Sequence, residues 1–133
     1  MTDAAVPEKA PEVGFDELEA ALRDGKVVVD VRERDEYERA HVAGVRLIPM
    51  SELQQRWEEI PSDDRVYVIC QGGGRSLNAA TALRQAGVDA VSVAGGTGGW
   101  AKEGRPVESG SGRTIAWHAP NRTGCRRTTG RDR

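Results

Sequence analysis

Unbroken apolar runs in the middle of the chain predict the strands of a buried sheet. Residues 26–31 and 66–69 are almost entirely β-branched or large apolar residues, without polar alternation. Strands covered on both faces show this pattern, which is typical of parallel sheets. Residues 90–93 predict a further strand, and residues 45–49 predict a short strand that ends at a proline.

Helical spacing of apolar residues separates these strands. Phe15, Leu18 and Leu22 lie on one face of a first predicted helix, which Gly25 can end. Further helices are predicted at residues 33–40, at 51–57 with Ser51 as the N-cap, at 75–86, and directly after the glycines of 95–99. Because strands and helices alternate, we predict an α/β fold: an open, mostly parallel sheet with helices on both faces.

The charge distribution divides the chain into three parts. Residues 1–108 carry 13 Lys and Arg against 20 Asp and Glu (net −7), whereas residues 109–133 carry 6 Arg and one Asp (net +5). We interpret residues 1–11 as a flexible N-terminal arm, 12–108 as a single domain, and 109–133 as a basic, disordered tail after a Ser-Gly linker. A basic tail could contact nucleic acid or an acidic partner, but this one is short and a solvated terminus explains it better, so we do not expect a nucleic-acid partner.

No long apolar segment or secretory signal is visible, so we expect a cytoplasmic protein without a membrane partner. Cys70 and Cys125 are not expected to form a structural disulfide, since one lies in a glycine-rich loop and the other in the tail. His41 and His118 are far apart, and no cluster has metal-site spacing. We therefore predict no metal site.

A glycine-rich loop that begins with cysteine carries the clearest chemical signal. Cys70 ends an apolar strand, and Gln71, Gly72, Gly73, Gly74, Arg75 and Ser76 lead into the alanine-rich helix. The positive end of a helix and its unpaired N–H groups stabilise an anion in such a loop. Consecutive glycines let the backbone curl into an anion-binding nest. Cys70 is thus a candidate nucleophile with a favoured thiolate, although a strand-terminal cysteine can also be a simple core residue.

The predicted topology brings a second polar segment to this loop. Asp30-Val31-Arg32 leaves the first apolar strand at its carboxyl end, as Cys70 leaves the other. In open parallel sheets, ligands bind in the crevice outside the carboxyl ends of the strands. We therefore expect both segments to border one crevice.

Four segments together resemble the rhodanese (sulfurtransferase) domain. They are Asp30-Val31-Arg32 with Glu36-Tyr37, His41 to Val45 (His-Val-Ala-Gly-Val), the Cys70 to Ser76 loop, and Gly95 to Trp100 (Gly-Gly-Thr-Gly-Gly-Trp). Their order and spacing are those of the family, and the resemblance extends from about residue 12 to residue 108. The chain is similar to a stand-alone single-domain member.

The resemblance implies a sulfurtransferase that needs no cofactor. Cys70 would take the outer sulfur of a small anionic donor such as thiosulfate, hold it as a persulfide, and pass it to cyanide or a thiol. The backbone N–H groups from Gln71 to Ser76 would stabilise the charged states, and Arg75 would brace the loop and favour anionic donors. Arg75 could instead pair with an acidic neighbour.

The resemblance also implies supporting roles around the loop. Asp30 and Arg32 would form a structural polar pair beneath it, and His41 would pack and hydrogen-bond rather than act as a base. Trp100 is expected to fill the core.

One departure from the family pattern concerns the donor. Members that use thiosulfate often have a basic residue after the cysteine, whereas Gln71 is neutral and Gly72 has no side chain. This loop could therefore accept a bulkier donor such as a protein persulfide. Cys125 could also resolve the Cys70 persulfide as a disulfide.

Two other functions remain open at the level of sequence. The first is a rhodanese-like module that relays sulfur or binds a partner with little turnover. The second is a cysteine-dependent phosphatase or arsenate reductase of the same fold. Those phosphatases place five residues between cysteine and arginine, whereas residues 71–74 supply four, and Ile69 replaces their usual histidine. The shorter loop favours sulfur over phosphate.

Overall fold

A five-stranded parallel sheet forms the centre of the computed structural model, which describes residues 9–61 and 63–110. Its strands are β1 (Glu12–Val13), β2 (Val27–Asp30), β4 (Arg46–Leu47), β5 (Val66–Ile69) and β6 (Ala90–Val93). The spatial order is β1-β6-β5-β2-β4, and every pair is parallel. Two further strands, β3 (His41–Val42) and β7 (Val107–Glu108), form a separate antiparallel pair. The predicted α/β class with a mostly parallel sheet is confirmed.

In the part of the chain that the structure describes, five helices connect the strands. They are α1 (Phe15–Arg23), α2 (Arg34–Arg39), α3 (Met50–Arg56), α4 (Gly74–Gln85) and α5 (Gly96–Lys102), with a 3₁₀ turn at Trp57–Glu59. The prediction that Ser51 caps α3 is wrong. Pro49 holds the N-cap position, because its fixed φ suits the chain just outside a helix. Ser51 lies in the first turn, where its hydroxyl donates to Glu33 Oε1 at 3.1 Å.

Helices cover both faces of the sheet, as predicted. On one face Val29 and Val68 pack with Leu83 of α4 and Leu53 of α3. On the other face the buried residues come from α1, α5 and the alternate strand positions: Leu18, Val28, Val91, Val93 and Trp100. Each fully buried aliphatic side chain of this kind contributes about 1.5–3 kcal/mol. The continuous apolar runs of the sequence are therefore explained by burial on two sides.

The packed domain begins inside the segment that the sequence assigned to the N-terminal arm. Ala10 is buried, and its N–H donates to Thr81 Oγ1 at 3.0 Å. The carbonyl of Pro11 accepts from the N–H of Ser92 at 2.9 Å. Residues 111–133, with Cys125 and most of the proposed basic tail, lie outside the described residues. Within the described ranges, no helix is both long and apolar enough to cross a membrane.

The register of the two central strands determines where the site lies. Asp30 at the end of β2 is paired with Ile69 at the end of β5. Cys70 and Arg32 therefore leave neighbouring strands at the same edge of the sheet. This is the crevice position expected for ligands of open parallel sheets.

Candidate active site

The loop from Cys70 to Gly73 connects β5 to α4 and turns around the cysteine sulfur. Gly73 occupies the N-cap position of α4 with φ +115°, a left-handed conformation that favours glycine. This conformation directs the Gly73 N–H to Cys70 Sγ at a distance of 3.0 Å. The strand, the turn and the helix start thus bring a backbone donor to the thiol.

The Cys70 sulfur lies in a pocket of hydrogen-bond donors. Cys70 is 1% exposed, and its Sγ is 3.4 Å from Ser76 Oγ. Burial is the largest influence on the pKa of the Cys70 thiol and raises it. Hydrogen bonds from the Ser76 hydroxyl and from the N–H groups of Ser76, Gly73 and Gly72 together outweigh burial, so the pKa is below its ordinary value. This environment favours the thiolate, the reactive form of cysteine.

The first turn of α5 holds the loop from the other side. Thr97 N–H donates to the Cys70 carbonyl at 2.7 Å, and Gly98 N–H donates to the Gln71 carbonyl at 2.9 Å. Gly96 has φ +59°, and a Cβ there would collide with both carbonyl oxygens. The second glycine-rich segment therefore anchors the loop carbonyls. Its sequence predicted a turn into a helix but did not reveal this contact.

Arg75 pairs with an acidic residue of α2. Its Nη1 and Nη2 donate to the two carboxylate oxygens of Glu36 at 2.8 and 2.9 Å. The Arg75 hydrogen bond is the main reason why the pKa of Glu36 falls to about 2. The pairing with an acidic neighbour, which the sequence left open, is thus present in the structure. This bidentate pair ties the start of α4 to α2.

Asp30 and Arg32 form a buried ion pair that reaches the loop. Arg32 is 2% exposed, and its Nε and Nη2 donate to the Asp30 carboxylate at 3.0–3.2 Å. Its Nη2 also donates to the Ala40 carbonyl, and its Nη1 donates to Gln71 Oε1 at 3.0 Å. Because a guanidinium only donates, it is the side-chain carbonyl oxygen of Gln71 that faces Arg32. The side-chain NH₂ group of Gln71 is then left for other contacts.

His41 is a packing residue in this structure. Its ring stacks on Tyr37 with centroids 3.7 Å apart, and its Nδ1 lies 2.8 Å from the Tyr37 carbonyl. Its Nε2 is 3.6 Å from a carboxylate oxygen of Glu108. None of these contacts involves the Cys70 loop, which agrees with the expected packing role.

A cavity of about 420 Å³ opens beside Gln71. Arg32, Arg39, Thr97 and Ala101 are among the residues that line it. Charged and polar side chains thus contribute to the lining of a volume whose surface is mainly apolar and which can hold a small ligand next to the loop. Among residues 9–61 and 63–110, no group of three His, Cys, Asp or Glu side chains is placed to hold a metal ion.

Ser92 was not identified from sequence. It lies on β6, fully buried, with its Oγ 2.8 Å from Ser76 Oγ. The available signal was a single hydroxyl in the otherwise apolar segment Ala90–Val93. A buried hydroxyl needs a hydrogen-bond partner, which here is a loop residue.

Comparison with known proteins identifies the family. A family model described as the rhodanese-like domain matches residues 15–103. The chain is 42% identical to Putative sulfur carrier protein YrkF of Bacillus subtilis over 64 residues. This aligned segment is 48% of this chain and only 35% of YrkF. Over 101 residues it is 34% identical to Thiosulfate sulfurtransferase 16, chloroplastic, of Arabidopsis thaliana, covering 66% of this chain and 84% of that protein.

A solved structure agrees with these sequence relationships. A rhodanese-related protein from Thermoplasma volcanium superposes with a TM-score of 0.69 at 35% identity, covering 74% of this chain and 97% of that protein. The family match spans the strands from β2 to β6, the cysteine loop and the second glycine-rich turn. The chain therefore belongs to the rhodanese-like domain family.

Proposed function

We propose that this domain is a sulfurtransferase that carries a sulfane sulfur on Cys70. The observation that carries the proposal is the buried Cys70 sulfur, which receives the Gly73 N–H at 3.0 Å and has the Ser76 hydroxyl at 3.4 Å. Donors in these positions stabilise a sulfur anion, and both the thiolate and the persulfide are sulfur anions. The names of sulfurtransferase relatives support the same chemistry.

The first half-reaction transfers sulfur to the protein. The Cys70 thiolate attacks the outer sulfur of thiosulfate and forms a new sulfur–sulfur bond. The original sulfur–sulfur bond breaks, and its electron pair leaves with sulfite. The products are the Cys70 persulfide anion and sulfite, so the charge is balanced without a proton or a redox partner.

The second half-reaction returns the thiolate. Cyanide attacks the outer sulfur of the persulfide and leaves as thiocyanate, while the electron pair of the broken bond returns to Cys70. A thiol acceptor, attacking as its thiolate, would leave as a persulfide in the same way. The loop donors face an anion at the start and at the end of each step, so they need not rearrange with the sulfur transfer.

The burial of Cys70 restricts the shape of the donor. Since Cys70 is 1% exposed, a donor must present its sulfur at the end of a slender group. The terminal sulfur of thiosulfate meets this requirement, and so does the tip of a protein persulfide. We include a protein donor or acceptor in the proposal because the relative YrkF is named as a putative sulfur carrier protein.

Intact-protein mass spectrometry tests the proposal. Incubation with thiosulfate should add one sulfur, about 32 Da, and cyanide should remove it with release of thiocyanate. Cys70→Ser should abolish the addition. Cys125→Ser is the matched control, since it removes the other cysteine of the chain and should load normally.

The same measurements distinguish the rival functions. Persistence of the adduct in Cys70→Ser would contradict the proposed mechanism. Loading without detectable thiocyanate turnover, combined with transfer to a thiol protein, would favour a sulfur relay. Hydrolysis of an aryl phosphate at a rate matching thiosulfate turnover would favour the phosphatase alternative.

A further inference from the structure

A chain of buried hydroxyl groups lies behind the Cys70 sulfur. Ser76 Oγ is 3.4 Å from Cys70 Sγ, 3.1 Å from the Gly73 carbonyl oxygen and 2.8 Å from Ser92 Oγ. Ser76 and Ser92 are both fully buried. Among the described residues, no hydrogen bond joins Ser92 to Cys70, so hydrogen bonding from Ser92 reaches the sulfur through Ser76.

The direction of the hydrogen bond between the two serines follows from their partners. Within residues 9–61 and 63–110, Ser76 is the only hydrogen-bond partner of the Ser92 hydroxyl. A buried hydroxyl hydrogen without an acceptor is unfavourable, so Ser92 donates and Ser76 accepts. The single hydrogen of Ser76 is then free to point to Gly73 O or to Cys70 Sγ.

The charge on the sulfur selects between these two orientations. In the thiol, the Cys70 S–H donates to Ser76 Oγ, and the Ser76 hydrogen points to the Gly73 carbonyl. In a sulfur anion, the Ser76 hydrogen turns to Sγ, because a charged acceptor forms the stronger bond. The Gly73 carbonyl still accepts from Leu77 N–H at 3.1 Å, so this turn leaves it with a partner.

Ser92 matters more for the anion than for the thiol. When Ser76 donates to the sulfur, the Ser92 hydroxyl is the remaining donor to Ser76 Oγ in the described structure. When Cys70 is a thiol, its own S–H also supplies a donor. Loss of the Ser92 hydroxyl would therefore leave Ser76 Oγ without a donor only in the anionic state. Donation from Ser92 also polarises the Ser76 O–H bond and strengthens its bond to sulfur.

We propose that Ser92 is a positioning residue of the site, which acts through Ser76 to stabilise the anionic sulfur of Cys70. The extension to the persulfide anion rests on the proposed function, whereas the effect on the thiolate does not. The charged groups at this edge of the sheet include the Arg75–Glu36 pair and the Arg32–Asp30 pair. Both pairs are intact, and changing Ser92 alters neither.

The pH dependence of Cys70 alkylation by iodoacetamide tests this inference in a Cys125→Ser background. Ser92→Ala should lower the alkylation rate below neutral pH by roughly 3- to 10-fold, which corresponds to a pKa increase of about 0.5–1. Ser92→Thr and Ser92→Val form a matched pair of nearly equal shape. The threonine variant should keep the wild-type profile, and the valine variant should follow Ser92→Ala.

A double variant separates an indirect effect from a direct one. In Ser76→Ala, the further change Ser92→Ala should not shift the profile, because the path to the sulfur is already absent. An additional shift in this background, or equal profiles for the threonine and valine variants, would overturn the inference. Alkylation requires no sulfur transfer, so its result is independent of the mass measurement that tests the proposed function.

Discussion

Arg75 and Glu36 form a bidentate ion pair across 39 positions of sequence, with both guanidinium Nη atoms within 2.9 Å of carboxylate oxygens. Glu36 is 24% exposed and Arg75 is 39% exposed. The pair joins α4, the helix that follows the cysteine loop, to α2. Glu36 therefore neutralises the charge of Arg75. The ion pair stabilises the loop by holding the start of α4 against α2.

Glu36→Gln should remove this contribution and make stability less sensitive to acid. The pKa of Glu36 is about 2 in the folded protein against 4.5 ordinarily, so the pair stabilises the fold above about pH 4.5 and loses this effect as the pH falls toward 2. After discounting for solvent screening, we expect a loss of roughly 1–2 kcal/mol at pH 7. Urea unfolding measures the free energy of unfolding of both proteins at pH 7 and pH 3. The difference between Glu36→Gln and wild type should be smaller at pH 3.

Asp35→Asn on the same helix is the control for this measurement. Asp35 pairs with Arg39, and both side chains are more than 70% exposed. Its loss should change the free energy of unfolding by less than about 0.5 kcal/mol. Equal effects of the two substitutions at pH 7 would show that the Arg75–Glu36 pair has no special stabilising role.

Gly96→Ala should disrupt the cysteine loop. A Cβ at residue 96 would collide with the carbonyl oxygens of Cys70 and Gln71, in addition to the strain at φ +59°. Gly104→Ala is a matched control, because Gly104 has φ +81° but no atom near its Cβ position. We expect the control to cost about 1 kcal/mol and Gly96→Ala to cost more than about 2 kcal/mol.

Thermal unfolding and Cys70 alkylation measure the two effects of Gly96→Ala. Displaced carbonyls would move the loop N–H groups from the sulfur, so the pKa of Cys70 should rise in this variant and stay unchanged in Gly104→Ala. If the two variants show the same loss of stability and the same pKa of Cys70, the strain of the left-handed backbone alone explains the effect of Gly96→Ala, and the collision with the loop carbonyls does not contribute.

Arg32 and Asp30 should show strong energetic coupling. Arg32→Met leaves the Asp30 carboxylate buried without its counter-ion, which typically costs about 3–5 kcal/mol. Asp30→Asn combined with Arg32→Met removes both charges and should recover part of that loss. A double-mutant cycle from urea unfolding gives the coupling free energy, and additive effects would contradict a mutually dependent pair.

The sequence predicted those parts of the fold that depend on local pattern. The strands β2, β5 and β6 were visible as apolar runs because both of their faces are buried. The two-residue strands β1 and β7 were not visible, since they exist only through pairing with distant β6 and β3. The burial of Ala10 depends likewise on a contact with Thr81, 71 positions away.

The site shows the same division. The strand, the cysteine loop and the start of the helix could be predicted because their characteristic residues follow one another directly in the sequence. The contacts of Glu36 with Arg75, of Ser92 with Ser76, and of the second glycine-rich turn with the loop carbonyls all cross between elements. No local rule selects such partners, so only the folded arrangement reveals them.

Gln71 should control the preference for anionic donors. It is exposed beside the cavity, and its carbonyl already accepts from Arg32. Gln71→Glu keeps an oxygen acceptor for Arg32 but adds a negative charge, whereas Gln71→Lys adds a positive charge. Under the proposed function, the lysine variant should lower the KM for thiosulfate, and the glutamate variant should raise it, each by roughly 3- to 10-fold at low salt.

Steady-state thiocyanate formation at two ionic strengths measures both variants. Because one exposed charge acts through solvent, each change in KM should shrink at high salt, with kcat nearly unchanged. Equal KM values for wild type and both variants would show that thiosulfate does not pass close to Gln71.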